Sequence, residues 1–192
     1  MNNEVQTELK KIFNGRFSTS ESTRANYARG EDTYDPILSK AVVFPETNEE
    51  VSKILSICNE HKIPVVPFGT GTSLEGNVVG NDKGITISLE KMNKILSVNA
   101  EDFDCRVQAC VTKEQLNEYL REDGVFFPID PGANAAIGGM ASTSASGTMA
   151  VKYGTMKTAI TGLTVVLPNG DIINTGSRTK KTSAGYNLTN LF

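Results

Sequence analysis

The sequence predicts an α+β fold of two lobes, a small one with parallel strands and a larger one with an antiparallel sheet. Three observations point there. From Ala41 onward, short apolar runs alternate with amphipathic stretches in the order strand, helix, strand, glycine-rich loop, strand. From Phe103, apolar Cys105, Val107, Ala109 and Val111 alternate with other residues, as in a half-buried strand. Finally, Pro168-Asn169-Gly170 separates two apolar runs, a strong hairpin signal.

Residues 1–35 read as a leader, with a short amphipathic helix (Val5, Leu9, Ile12, Phe13) followed by a polar, turn-rich stretch. Residues 36–102 form the first lobe. Residues 41–44 are a short strand, and Thr47 with Glu50 makes a capping box for a helix that buries Val51, Ile54, Leu55 and Cys58. Residues 64–67 and 84–89 supply two further strands, enough for a small sheet with a parallel pair. The second lobe, residues 103–192, begins with the alternating strand. Thr112 and Gln115 then cap a helix with Leu116, Tyr119 and Leu120 inward and Gly124 as its stop. Residues 163–167 and 171–174 are the arms of the hairpin.

Composition narrows the function. The 192 residues carry a net charge of −3, and the basic residues are scattered, so nucleic acid is not an expected partner. Residues 1–11 are too polar and charged for a signal peptide. The charge-free run 131–151 is long enough to span a bilayer but too rich in Gly, Ser, Thr and Asn to do so. Cys58, Cys105 and Cys110 have no CxxC spacing and read as reduced packing residues of a cytoplasmic protein. The single histidine, His61, falls in the last turn of a helix, and no metal centre is expected.

Two glycine-rich segments remain. PFGTGTSLEG, residues 67–76, follows a buried strand, and its glycines permit positive φ, so successive N–H groups can converge on an anion. No Lys or Arg lies between Phe68 and Asn81, so a phosphate there would be held by dipoles. The glycine spacing is neither GxGxxG nor a Walker A loop. On composition alone, a plain connection between strands fits equally well. DPGANAAIGGMASTSASG, residues 130–147, is dominated by small residues that allow close approach to a flat ligand or to another stretch of backbone. A tightly packed turn is the competing reading. Taken together, the two segments suggest an extended ligand with phosphates and a planar ring, held in a cleft between lobes.

These segments, with Tyr153-Gly154, GLTVVLPNGD, the entry stretch YDPILSKAVVFPETNEEVSKIL and the closing GYNLTNLF, resemble the FAD-binding (PCMH-type) domain of the vanillyl-alcohol oxidase / p-cresol methylhydroxylase family. The nearest branch is the D-lactate dehydrogenase and glycolate oxidase D-subunit group. The resemblance implies that Pro67, Phe68, Gly69, Thr70, Gly71, Thr72, Ser73 and Leu74 wrap the FAD pyrophosphate. It implies that Pro131, Gly132, Ala135 and Ala136 line the flavin and ribityl region, with Gly138 and Gly139 starting a helix beneath. Thr143, Ser144, Ser146 and Gly147 would contact the cofactor from the second lobe. This branch usually has Asn where Ser144 stands. Some relatives attach FAD through a histidine; none of the matching positions is His, which implies non-covalent FAD. Family members continue beyond the equivalent of Phe192 into another FAD-contacting segment and a substrate domain with the metal- and substrate-binding residues. The implied activity is oxidation of a D-2-hydroxy acid, lactate or glycolate type, by hydride transfer to flavin N5, with this chain ending inside the cofactor domain. A sheet edge left open there would favour self-association. No residue stands out as general base, and Glu75 and Tyr153 read as a solvated carboxylate and a packed aromatic. A non-catalytic FAD or nucleotide module, or an inactive remnant, is the alternative.

Overall fold

The computed structural model describes residues 3–192. Contacts divide these residues into two compact units. One runs through Met92 and includes Val166–Ile172; the other comprises Asn93–Val165 and Ile173–Phe192.

The first unit is a four-stranded sheet backed by helices. Its elements are α1 (Asn3–Ile12), β1 (Phe17–Ser18), α2 (Glu21–Asn26), β2 (Val42–Val43), α3 (Asn48–Glu60), β3 (Val65–Phe68) and β4 (Ile85–Ser88). The strand order is β1-β2-β4-β3. β2 and β3 both run parallel to β4, and β1 is antiparallel to β2. All four residues of β4 are buried, the pattern of a central parallel strand covered on both faces. Its polar members are satisfied in part by Ser39, whose Oγ accepts from the Thr86 hydroxyl at 2.8 Å and from the Asn81 N–H at 3.0 Å.

The stretch expected to be a leader is built into this unit. Val5, Leu9 and Phe13 are fully buried in the same cluster as Ile54, Ile57 and Ile85. β1 then adds an edge strand that two residues of sequence could not announce.

α3 starts as its capping signal requires, with the Thr47 hydroxyl accepting from the Glu50 N–H at 3.2 Å. The return half of the box differs. The Glu50 carboxylate accepts from the Glu46 N–H, not that of Thr47, and takes both Arg16 guanidinium Nη groups at 2.5 Å. That bidentate bond, more than any other contact, holds the Glu50 carboxyl below the usual carboxylate range. A lowered native value means the stabilisation is present above the unfolded value of about 4.3 and is lost as pH falls through the native one. Glu50→Gln should therefore cost about 1–2 kcal/mol at neutral pH. The gap from wild type should narrow as pH falls below the unfolded value, which urea unfolding at neutral and at acid pH would show.

The second unit holds β5 (Ile95–Asn99), β6 (Asp104–Val107), α4 (Lys113–Leu120), α5 (Ile137–Ser142), α6 (Ala150–Tyr153), α7 (Met156–Ala159) and most of β7 (Gly162–Val166) and β8 (Ile172–Gly176). β5 pairs antiparallel with β6, so the unit begins at Asn93 and Phe103 lies in the connecting turn with φ 55°. The predicted strand through Val111 stops at Val107. Beyond it, the backbone serves the second glycine-rich segment.

α4 is capped by Thr112 accepting from the Gln115 N–H at 3.2 Å, and Gly124 ends the following turn at φ 69°. Leu116 and Leu120 are buried, but Tyr119 is 58% exposed, which corrects its inward assignment. The Leu116–Leu120 pair, four residues apart, fills the core-facing stripe and leaves position 119 on its flank. These two join Val111, Ile129, Met140 and Met156 in the unit's core. β7 and β8 form the expected hairpin around Pro168-Asn169-Gly170, with Gly170 at φ 92°.

Candidate functional site

The first segment leaves the sheet at the end of β3. Pro67 sits on this edge strand, where a missing N–H is tolerated, and is exposed. Phe68 is 6% exposed, its ring tucked beneath the loop. Gly71 lies against that ring: a Cβ there would stand 2.8 Å from it, and the residue has φ 75°. Both facts require glycine. Among the described residues, the N–H groups of Gly71, Thr72, Ser73 and Leu74 donate no hydrogen bond. The hydroxyls of Thr70 and Thr72 lie 3.4 Å apart. Gly69 is half-buried beside them. A run of free amides with hydroxyls and no cation is a fitting cradle for a pyrophosphate.

The second segment is laced to the backbone after β6. Ala136 bridges Thr112; Ile137 N–H donates to Val111 O at 2.8 Å, and Gly138 N–H to Ala109 O at 2.8 Å. Gly138 is needed because a Cβ would come within 2.8 Å of the Ala109 side chain. Gly132 and Gly139 instead face open space, with nothing within 4 Å of where a Cβ would stand. Ala135 is half-buried and Ala136 buried at 3%. Residues 131–139 carry no charged side chain.

After α5 the chain turns through Ser144, at φ 50°, with Ala145 N–H returning to Met140 O at 2.9 Å. Left-handed backbone is where Asn is tolerated best among side-chain residues, so a preference for Asn at this position has a backbone cause. Thr143 donates its hydroxyl to Gly139 O, while Ser144 and Ser146 are exposed. Gly147 is pressed onto Asp130: a Cβ would fall 2.2 Å from both its carbonyl and its Oδ1.

Two residues outside the predicted set shape this segment. The Asp130 carboxylate accepts from the Thr148 hydroxyl at 2.6 Å and the Met149 N–H at 3.0 Å. Those bonds hold its carboxyl below the usual carboxylate range, the Thr148 bond foremost. Lys113, on the first turn of α4, donates its Nζ to Pro131 O at 3.1 Å. It brings a positive charge to a segment whose own single charged side chain is Asp130. Only the pairing of Thr112 with Ala136 could have revealed this, and an isolated bridge leaves no periodic signal.

The remaining candidates are structural. The Tyr153 ring meets Phe126 edge-on at 5.6 Å and carries Lys152 Nζ 4.9 Å above it. Glu75 is exposed on its loop, and His61 is the exposed C-cap of α3. Burial pushes the Cys58 thiol up to about 11, an inert packing group. No helix among the described residues is long and apolar enough to cross a membrane.

Comparison with known proteins agrees with this geometry. The FAD binding domain family matches residues 39–176. A probable mitochondrial D-lactate dehydrogenase of Danio rerio is 48% identical over 91% of this chain and 36% of its own length. Glycolate oxidase subunit GlcD of Bacillus subtilis is 36% identical over 92% of this chain and 38% of its own. The crystal structure of p-cresol methylhydroxylase with substrate bound superposes with a TM-score of 0.74 at 24% identity, over 99% of this chain and 38% of that one. The chain thus spans a little over a third of the curated relatives it matches. A neutral amide cradle after a parallel strand, a small-residue segment and a family match over most of the sequence lead to one assignment: the chain belongs to the FAD binding domain family.

Proposed function

We propose that this chain binds FAD without a covalent link and forms the cofactor portion of an oxidoreductase that oxidises a D-2-hydroxy acid of the lactate or glycolate kind. The observation that carries the reading is the run of unbonded N–H groups from Gly71 to Leu74, set in a loop with no Lys or Arg. In this reading, residues 67–74 hold the pyrophosphate, with the Thr70 and Thr72 hydroxyls as added donors. Pro131, Gly132, Ala135, Ala136, Gly138 and Gly139 line the flavin and ribityl region, and Thr143, Ser144, Ser146 and Gly147 complete it. When bound, FAD supplies the hydride acceptor at N5. The chain's own residues bind and orient, and none of them is assigned the proton transfer. The names of the two relatives support the hydroxy-acid substrate.

Covalent attachment is disfavoured because neither segment contains a histidine, and the single histidine, His61, is the exposed C-cap of α3. The cytoplasmic placement belongs to the same proposal, supported by three cysteines that form no disulfide, two of them buried. The Danio rerio relative is named mitochondrial, and reduced cysteines suit either compartment. Acid precipitation of flavin-loaded protein tests the mode of binding. All the flavin should stay in the supernatant as FAD, and yellow protein in the pellet would refute the non-covalent reading. A protein that loads FAD yet supports no hydroxy-acid oxidation in its full-length context would favour the non-catalytic module instead.

A further inference from the structure

Residues 28–37, in the turn-rich stretch between α2 and β2, lie directly on the phosphate loop of the first unit. The carbonyl of Ala28 accepts from the N–H groups of Gly80 at 2.9 Å and Ile37 at 3.3 Å, closing the segment on itself and on the far end of the loop. Gly30 is in backbone contact with the loop: a Cβ there would stand 2.7 Å from Ser73 O and 2.8 Å from Gly71 O. Glu31 N–H donates to Gly71 O at 3.0 Å. The turn that makes these contacts is fixed by Asp32, 8% exposed, whose carboxylate accepts from Gly30 N–H at 3.1 Å and Tyr34 N–H at 3.0 Å. The Tyr34 ring covers Gly76, lying 2.7 Å from where a Cβ would be.

Peptide planarity turns these contacts into a statement about donors. In a trans peptide the C=O and the following N–H point in opposite directions. The carbonyls of Gly71 and Ser73 face the segment 28–37, so the N–H groups of Thr72 and Leu74 are turned away from it. Both are among the free amides of the loop.

We propose that residues 28–37 are a positioning strap, which fixes the carbonyls of Gly71 and Ser73 and so presents the Thr72 and Leu74 N–H groups as donors to a pyrophosphate. The inference rests on the FAD-binding reading of the same loop. Gly30 and Tyr34 are positioning residues and touch no ligand. Preorganisation of this kind acts on affinity, because a loop already held in its binding shape loses less freedom on binding.

The test is titration of the full chain with FAD and with ADP, which carries the pyrophosphate without the flavin, beside thermal unfolding of the ligand-free protein. Gly30→Ala should weaken FAD and ADP by the same factor, about tenfold. Tyr34→Ala, at a position 56% exposed, should weaken both ligands in the same direction with little change in the unfolding midpoint. Tyr34→Phe should restore wild-type binding, since the ring alone covers Gly76. Unchanged FAD affinity in both variants would overturn the strap. So would weaker FAD with unchanged ADP, or a Tyr34→Phe variant as weak as Tyr34→Ala. Should Gly30→Ala fail to fold, the Tyr34 pair decides alone. Wild-type protein that binds neither ligand would sink the FAD reading itself, and the strap with it.

Discussion

Replacing Gly71 with valine should lower FAD affinity about 100-fold while leaving the ligand-free protein folded. Gly71 has φ 75°, a conformation that costs a side-chain residue about 1–2 kcal/mol and a β-branched one more. A Cβ would also meet the Phe68 ring at 2.8 Å. That ring is buried and held edge-on by Tyr27 at 5.1 Å, so the loop must move and not the ring. The displaced loop takes its N–H groups with it, and loss of two to three of the four, at about 1 kcal/mol each, accounts for the factor. Flavin fluorescence on titration measures it. Wild-type affinity in the valine variant would mean that the loop does not hold the cofactor.

Gly147→Ala should act differently, through the fold of the second unit. The added methyl would overlap the Asp130 carbonyl and Oδ1 at 2.2 Å, and one of these is backbone with nowhere to go. Overpacking of this severity costs about 2–4 kcal/mol. For a chain of this length, the melting midpoint should drop by roughly 5–12 °C without ligand. Asp130 would lose its bonds to Thr148 and Met149 in the process. Calorimetry of the ligand-free protein measures the drop, and an unchanged midpoint would show that the packing of Gly147 on Asp130 does not support the second unit.

What the sequence disclosed follows from the range of the interactions involved. The Thr47 and Thr112 caps were legible because a cap is a local contract between a hydroxyl and an N–H three residues on. The Asn169-Gly170 turn was legible for the same reason, and β4 because four buried residues in a row need no partner to be noticed. β1 is too short for any periodicity, and it exists only because β2 offers an edge. β5 was missed because Leu96 and Ser97 are exposed, which breaks the pattern of a half-buried strand. The two glycine-rich segments were visible as composition. Their supports were not: Gly30, Asp32, Lys113 and Asp130 act through contacts that only the folded chain creates.

The central claim is that a loop without cations binds the pyrophosphate of FAD through backbone dipoles. Its most direct test is FAD titration of the wild-type chain at about 0.05 M and 0.5 M salt, where ion pairs are screened to very different degrees. The account predicts saturable binding whose dissociation constant changes by less than about threefold between the two conditions, since aligned N–H donors carry no mobile counterion to release. No binding at either salt, or a weakening of tenfold or more at the higher one, would contradict it; the latter would transfer the pyrophosphate to a cation such as Lys113.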